Sequence, residues 1–179
     1  MDRSRFLLVR SLWLLAGAIA VHEAEEWNVA DWTARNFTNH TGVTNEAMWP
    51  GLIVITALFA AWIFLATRLV SPSAISLIAL PAVAVVAVGN AVQHITWLFL
   101  FSEYDPGVVS AVLLVIPASF YVIWCMIRVR RVLLLPLAAC AVLWAAAAYQ
   151  IVAAGRVMQP FQLIVQHLCI SFAKVIGLM

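Results

Sequence analysis

Four ionisable side chains stand within five positions of this sequence, at His22, Glu23, Glu25 and Glu26, and they directly follow an apolar run. The three glutamates are among only eight acidic residues in the chain. Imidazole nitrogens and carboxylate oxygens bind zinc, iron and manganese, and the same groups can hold or release a proton near neutral pH. The segment therefore predicts a metal site or an acid–base site.

The periodicity of a helix selects among these four residues. Side chains three and four positions apart lie on one face of a helix, so we expect Glu25 and Glu26 to flank His22 on one stripe. Glu23 is expected to point away, towards another helix or the membrane interface. The predicted functional trio is His22, Glu25 and Glu26.

The composition of the chain predicts what surrounds this trio. Hydrophobic residues make up 65% of the chain and charged residues only 10%, and the mean hydropathy is +1.03. A soluble domain carries about 25% charged residues, so this chain cannot cover a water-facing surface. We therefore predict an all-α, polytopic membrane helix bundle. The net charge of +2 gives no reason to expect a nucleic-acid partner.

The apolar runs of this 179-residue chain predict one transmembrane domain with six spans, since each span needs about 20 residues. The first run has only eleven uncharged residues, from Ser11 to Val21, so its helix must continue beyond this run to cross the bilayer. That run also ends in Ala18-Ile19-Ala20, as a signal peptide does, but we expect a retained helix. The predicted spans are 6–27, 51–70, 75–101, 108–127, 132–154 and 161–179, with an outer loop over 28–50.

The basic residues predict the orientation of the bundle. If the spans alternate in direction, seven arginines fall on one side, and an excess of Lys and Arg marks the cytoplasmic side. Both termini are then cytoplasmic. The predicted location is the inner (plasma) membrane of a bacterium, where membrane lipids surround a multi-pass protein. The seven arginines are Arg3, Arg5, Arg10, Arg68, Arg128, Arg130 and Arg131.

Two other spans carry polar stripes that this topology brings to the same depth. Asn90, His94 and Trp97 share one face late in the third span, which runs outward. The sixth span enters from outside and reaches His167 early. Because ionisable groups inside a membrane face the bundle interior, we predict one site in the outer half of the bundle. Its predicted catalytic residues are His22, Glu25, Glu26, Asn90 and His94, and its predicted substrate contacts are Trp97, Tyr104 and His167.

Three kinds of chemistry remain open for this site. A divalent metal ion (zinc, iron or manganese) would be bound by His22, Glu25, Glu26 and His94, although Glu26 stands where an HExxH motif has its second histidine. Without a metal, one protonated and one ionised glutamate would deliver and remove protons on an apolar substrate. Chains of His and Glu inside membranes also relay protons or ions in transporters.

Among these alternatives we favour a membrane-embedded enzyme that acts on an apolar small molecule, a lipid or isoprenoid. Isomerisation or cyclisation fits the metal-free chemistry, because the ring of Trp97 can stabilise a carbocation. The alternative is a small transporter or binding protein for a metal ion, a proton or an apolar ligand. The sequence does not predict the oligomeric state.

Three parts of the sequence resemble one known family. His22-Glu23-Ala24-Glu25-Glu26 matches the signature of the HXXEE family of small bacterial integral membrane proteins. Asn90 and His94 in the third span also resemble that family. Tyr104-Asp105-Pro106-Gly107, followed by Ser110-Ala111, is similar to the family's Y-x-P-G-x-x-[ST] stretch.

This resemblance covers roughly Leu15 to Pro136, so His167 lies outside it. The family is named for its motif and not for an activity. The resemblance therefore implies a polar site within a membrane bundle and names no reaction. A weaker likeness connects the chain to emopamil-binding-type sterol isomerases and membrane terpene cyclases, which also place His and Glu with Asn and Trp inside a short bundle.

Overall fold

The computed structural model describes residues 3–69, 71–129 and 134–178, and these residues form seven helices and no strand. We number the helices α1 to α7 in chain order. The all-helical fold class predicted from the sequence is confirmed. The helices are α1 (Arg3–Glu25), α2 (Val29–Asn36), α3 (Asn45–Thr67), α4 (Pro72–Phe101), α5 (Val108–Val129), α6 (Leu134–Ala154) and α7 (Pro160–Val175).

Five of these helices, α1, α3, α4, α5 and α6, are long and apolar enough to cross a membrane. The sixth predicted span differs, because α7 has 16 residues and covers only about 24 Å at 1.5 Å per residue. The hydrocarbon core of a bilayer is about 30 Å thick. The count of six spans and the cytoplasmic termini stay predictions. Arg130 and Arg131, which contributed to the predicted orientation, lie outside the described residues.

The predicted outer loop over 28–50 is partly helical. Helix α2 lies inside it and buries Val29, Ala30 and Trp32 among its residues, and α3 begins at Asn45. The side chain of Asn45 accepts a hydrogen bond from the backbone N–H of Ala30 at 3.1 Å, which fixes α2 against the start of α3. A short interfacial helix is compatible with the polar composition of the segment, since only one face of α2 is buried.

Helix α1 is the centre of the bundle and packs against α3 and α5. Leu8, Leu12, Leu15 and Ile19 follow its buried face and are almost completely enclosed. Their spacing of three to four residues is the one that places side chains on one side of a helix. In a bilayer this contact is stabilised by close packing more than by exclusion of water. Helix α3 also contacts α7, and α4 contacts α6.

Helices α4 and α5 each contain a π-helical segment beside the polar end of the bundle. The segment Ala82–Val88 precedes Asn90 in α4, and the segment Ala111–Val115 follows Ser110 in α5. Wider π turns rotate the residues that follow them relative to a regular helix, and they occur frequently at functional sites. The indole N–H of Trp144 in α6 donates to the Ala84 carbonyl at 2.9 Å. The two segments therefore help to set which side chains of α4 and α5 face α1.

The ends of three helices meet where the polar residues lie: the C-terminal ends of α1 and α4 and the N-terminal end of α5. At the opposite end of the bundle, the Arg5 guanidinium donates to the carbonyl oxygens of Thr67 at 3.1 Å and of Leu69 at 3.3 Å. Helices α1 and α3 are thus antiparallel. This arrangement brings residues that are distant in sequence to one end of the molecule.

Candidate functional site

A buried cluster of two histidines and one glutamate lies where α1 and α4 meet. Oε1 of Glu26 is 3.2 Å from Nε2 of His22 and 2.8 Å from Nε2 of His94. The two imidazole rings are nearly perpendicular, with their centroids 4.8 Å apart. Both histidines are at most 1% exposed, and Glu26 is 8% exposed. One potential ligand atom from each residue lies within 4.8 Å of the others, which is the spacing of a possible metal site.

The second ring nitrogen of His22 fixes the orientation of its ring. Nδ1 lies 3.0 Å from the carbonyl oxygen of Gly107 and 3.0 Å from Oγ of Ser110. Because a carbonyl oxygen only accepts hydrogen bonds, Nδ1 carries a proton. When the ring is neutral, Nε2 therefore presents its lone pair towards Glu26, and the Asn90 amide lies 2.8 Å from that nitrogen.

His94 is oriented in the same way by a carboxylate. Its Nδ1 lies 2.7 Å from Oδ2 of Asp105, which is completely buried. Burial raises the pKa of the Asp105 carboxyl to about 6, and the hydrogen bond from His94 opposes that rise. At neutral pH the carboxylate accepts a hydrogen bond from Nδ1–H of His94. Nε2 of the same ring is then directed at Glu26. Oδ1 of Asp105 has no hydrogen-bond partner among the described residues.

Gly107 allows the backbone to pass directly over this cluster. Its φ is +102°, a conformation that residues with a Cβ rarely adopt. A Cβ at this position would lie 2.9 Å from Cε1 of His22, 3.0 Å from Cε1 of His94 and 3.2 Å from Cγ of Glu26. Both the backbone conformation and the available space therefore require a glycine here.

The cluster faces a cavity of about 410 Å³ enclosed by the ends of α1 and α4 together with α2, α3 and α7. This volume lies within the range of small-molecule sites, about 300 to 1,000 Å³. Apolar side chains from α3 and α7 form much of its wall, and several amides interrupt them. The apolar lining includes Val29, Met48, Leu52, Ile55, Val86, Met158, Phe161 and Val165, and the polar lining includes Thr33, Gln93, Gln162 and Gln166.

The structure brings together four of the five residues that the sequence analysis predicted to be catalytic: His22, Glu26, Asn90 and His94. Glu26, Asn90 and His94 line the cavity. Trp97, a predicted substrate contact, also lines the cavity, and its ring packs against His94 with 5.6 Å between centroids.

Glu25 and Tyr104 lie together on the other side of α1, away from the cavity. The Tyr104 hydroxyl donates to Oε1 of Glu25 at 2.6 Å, and the backbone N–H of Ser110 donates to Oε2 at 2.7 Å. Partial burial raises the pKa of Tyr104 to about 12, and the hydrogen bond to Glu25 acts in the same direction. Glu25 is therefore not brought to the histidine pair, and its two oxygens are used to hold the start of α5.

Glu23 is the carboxylate that the sequence analysis misplaced. We expected it to point away from the site, but it is half-buried and lines the cavity beside Glu26. At about 100° per residue, Glu23 lies about 60° from Glu26 around the helix, and Glu25 lies about 60° from His22 on the opposite side. Both glutamates thus flank the cluster equally, and the neighbouring helices determine which of them faces the cavity.

His167 is exposed on the outer side of α7, and the structure does not place it in the cavity. The buried face of α7 contains Gln162, Gln166, Cys169 and Ala173. Gln166 lines the cavity in place of the predicted histidine, and its Oε1 accepts a hydrogen bond from the Thr41 hydroxyl at 2.7 Å. The neighbouring residue on α7 thus occupies the place that we predicted for His167.

Sequence reasoning also missed Asp105, Gly107 and Ser110, which hold the two imidazole rings. All three lie in the short stretch that resembles the Y-x-P-G-x-x-[ST] pattern. The signal for Asp105 was its place just after the helix that carries His94, where a carboxylate can reach back to the ring.

The fold and this cluster define a helical membrane protein with a buried His/Glu group. The sequence profile of the family described as "protein of unknown function with HXXEE motif" matches residues 13–122, and the chain belongs to this family. The matched region contains the His/Glu cluster with Asn90, Asp105, Gly107 and Ser110. No curated protein and no solved structure matches the chain. The weaker likeness to sterol isomerases and terpene cyclases is not supported by these comparisons.

Proposed function

We propose that this protein is a membrane-embedded, metal-dependent enzyme that acts on a lipid or isoprenoid at the cluster of His22, Glu26 and His94. One observation carries the proposal. The Nε2 atoms of two buried histidines converge on a single carboxylate oxygen at the wall of a largely apolar cavity.

The hydrogen bonds made by Nδ1 of the two histidines support a metal ion bound at their Nε2 atoms. A histidine that binds a metal commonly donates its other ring N–H to a backbone carbonyl or a carboxylate. His22 does so with Gly107, and His94 does so with Asp105. These bonds leave the lone pairs of both Nε2 atoms on the side of Glu26, where the Asn90 amide lies 2.8 Å from Nε2 of His22.

Two of the three separations between the donor atoms are also close to those of a metal site, and all three lie within 4.8 Å. Ligands about 2.0 to 2.1 Å from a tetrahedral ion lie about 3.3 Å from each other, and the present separations from Glu26 are 3.2 and 2.8 Å. Two imidazoles and one carboxylate are a known ligand set of catalytic zinc, with the fourth position open. Metal binding at His22 requires the Asn90 amide to turn away from Nε2.

A metal ion bound here would polarise a substrate oxygen or activate a water molecule. The protein supplies the remaining parts of the mechanism. Asp105 accepts a hydrogen bond from Nδ1–H of His94, which keeps that proton on Nδ1. The carbonyl oxygen of Gly107 accepts the corresponding hydrogen bond from Nδ1–H of His22. Trp97 packs against the His94 ring and covers one side of the cluster.

The cavity supports an apolar substrate. Met48, Leu52 and Ile55 of α3 and Val165 of α7 line it, and such side chains bind hydrocarbon by burying it. A lipid or isoprenoid already dissolved in the bilayer has the matching chemistry, and we expect it to reach the site from the surrounding membrane.

Metal-free acid–base chemistry is the second candidate, and one observation favours it. The ring of His94 lies between two carboxylates, 2.7 Å from Asp105 and 2.8 Å from Glu26. A protonated His94 donates to both of them, and Glu26 then serves as the proton carrier of an isomerase or cyclase. The first experiment below separates the two candidates.

Metal analysis of the protein purified in detergent without added chelator tests the proposal. We expect about one zinc, iron or manganese ion per chain in the wild type and less than about a tenth of that in His22→Ala and His94→Ala. His167→Ala is the matched control, because His167 is exposed and away from the cluster, and it should keep the metal. A wild type without stoichiometric metal contradicts the metal-dependent mechanism and favours the metal-free candidate.

Turnover of a lipid is tested separately. Wild-type protein, His22→Ala and chelator-treated wild type are each incubated with a total lipid and isoprenoid extract, which is then compared by mass spectrometry. We expect one compound to be consumed by the wild type only. If the wild type contains metal but changes no lipid or isoprenoid, the proposed enzymatic role is wrong.

A further inference from the structure

We infer that Glu23 is the general base of the proposed metal centre and that the reaction is hydrolysis of an ester or amide bond in an acyl lipid. The inference rests on the proposed function and adds to it a catalytic residue, a reaction class and a substrate class.

The surroundings of Glu23 are the first argument. Its side chain lines the cavity beside Glu26 and His94, and it accepts no hydrogen bond from any described residue. An ionisable group in the membrane layer is costly unless it has a partner or a use. Glu25, two positions away, accepts hydrogen bonds from Tyr104, Val109 and Ser110. Of these two glutamates, only Glu23 lines the cavity, and no described residue donates a hydrogen bond to it.

The order of the residues along α1 is the second argument. In an H-E-x-x-H helix, the first and fifth positions bind zinc and the glutamate at the second position is the general base. In this chain His22 and Glu26 occupy the first and fifth positions, and Glu23 occupies the second. His94 of α4 completes the set of two imidazoles and one carboxylate. The sequence lacks the second histidine of that motif, but Glu23 lines the same cavity as Glu26 and His94.

The proton transfers follow from this arrangement. A water molecule in the cavity, which a metal ion held by His22, Glu26 and His94 would activate, gives one proton to the Glu23 carboxylate. Its oxygen forms a bond to the acyl carbon, and the carbonyl π electrons move to the carbonyl oxygen. When they return, the bond from the acyl carbon to the leaving oxygen or nitrogen breaks. The leaving atom keeps that electron pair and takes the proton from Glu23, so one water is consumed and a carboxylic acid and an alcohol or amine are formed.

The site restricts the substrate class. A base beside a metal-activated water acts on a polarised carbonyl carbon, and lipids carry such carbons in their ester and amide bonds. The apolar wall formed by Met48, Leu52, Ile55 and Val165 suits the acyl chain. The amide of Gln93, which also lines the cavity, is available to the polar end of the substrate.

Dodecanohydroxamic acid is a suitable probe, because a hydroxamate binds zinc with loss of a proton that a neighbouring carboxylate can accept. Calorimetry in detergent compares zinc-loaded wild type with Glu23→Gln, Glu23→Asp and the control Glu46→Gln, which removes a fully exposed carboxylate. We expect the zinc content to be equal in all four proteins. The affinity should fall about tenfold or more in Glu23→Gln, fall less in Glu23→Asp and stay unchanged in Glu46→Gln.

Hydrolysis of p-nitrophenyl dodecanoate tests the reaction class. We expect Glu23→Gln to lower the rate above the His22→Ala background by about 10² to 10⁴-fold, the usual contribution of a general base. Wild type that binds no stoichiometric metal ion would overturn both this inference and the proposed metal centre. Equal zinc content with an unchanged hydroxamate affinity or an unchanged hydrolysis rate in Glu23→Gln would overturn the inference alone.

Discussion

Glu23 and Glu25 stand on opposite flanks of the same helical turn and have different surroundings. On the Glu25 flank, three donors from the segment Tyr104–Ser110 occupy the carboxylate. On the Glu23 flank, the carboxylate faces the cavity and accepts no hydrogen bond from the described residues. The helix packed against each flank, and not the motif itself, therefore determines what each glutamate does.

The Glu25 flank stabilises the site without taking part in its chemistry. The first N–H groups of a helix have no partner within the helix, and a negative charge near them is favourable. Glu25 accepts from the N–H groups of Val109 and Ser110 at the start of α5. This contact fixes Gly107 and Ser110 against the His22 ring. The Glu25 flank therefore positions the ligands, and the Glu23 flank faces the cavity.

The largest effect is expected from Gly107→Ala, because Gly107 lies directly against the histidine rings. The new Cβ would approach both histidine rings within about 3 Å, and the positive φ alone costs about 1 to 2 kcal/mol. We expect the free energy of unfolding to fall by more than about 2 kcal/mol and the bound metal to be lost. Thermal unfolding in detergent and metal analysis measure the two effects.

Gly42→Ala is the matched control for this substitution. Gly42 also has a positive φ, of +78°, but no atom lies within 4 Å of a Cβ placed there. We expect a loss of about 1 kcal/mol with full metal content. Equal metal loss in both variants would show that backbone strain, and not the contact with the histidines, explains the effect.

The next effect is expected from Asp105→Asn, which removes the carboxylate behind His94 and keeps the shape of the side chain. Residues that hydrogen-bond to a metal ligand contribute about 10 to 100-fold to metal affinity, and we expect a loss in that range. Competition with a chromogenic chelator measures it. Asp31→Asn changes an exposed carboxylate that accepts a hydrogen bond from the Asn45 side chain. This control should leave the metal affinity unchanged. An unaltered affinity in Asp105→Asn would mean that His94 is not a ligand.

Glu25→Gln and Glu23→Gln compare the two flanks directly. Glu25→Gln weakens charge-assisted hydrogen bonds, and we expect it to lower the free energy of unfolding by about 1 kcal/mol. Glu23→Gln should not lower it, because this carboxylate has no described partner to lose. Thermal unfolding of the two variants in one detergent gives the answer. A larger loss of stability in Glu23→Gln would reverse the roles that we assign to the two flanks.

The smallest effect is expected from Tyr104→Phe. The Tyr104 side chain is 55% exposed, and its hydroxyl makes one of the three hydrogen bonds to Glu25. We expect a loss of about 0.5 kcal/mol in the free energy of unfolding and no change in metal affinity or hydrolysis. A large loss of hydrolysis would place Tyr104 in contact with the substrate, as the sequence analysis predicted.

The fold class and the central residues could be predicted from the sequence. The low charge and the apolar runs require membrane helices, and the positive-inside rule aligns the polar ends of the first and third spans. This alignment was sufficient to predict that His22, Glu26, Asn90 and His94 meet. This prediction uses only the position of a residue along its span, which sets its depth in the membrane. It does not require knowledge of the side-chain contacts.

The roles of Glu23, Asp105 and His167 could not be predicted in this way. The depth of a residue does not fix the direction in which it points, and that direction depends on which helix packs on which face. The π-helical segments of α4 and α5 also shift that direction in ways that a regular period does not describe.

X-ray absorption spectroscopy at the edge of the bound metal tests the central claim most directly. We predict two imidazole nitrogens and one carboxylate oxygen at about 2.0 to 2.2 Å, with no sulfur ligand, and the loss of nearly all of the metal signal in His94→Ala. A sulfur ligand at about 2.3 Å would place the metal at a cysteine, away from the cluster. The absence of stoichiometric metal, or a wild-type spectrum that His94→Ala leaves unchanged, would contradict a metal centre formed by His22, Glu26 and His94.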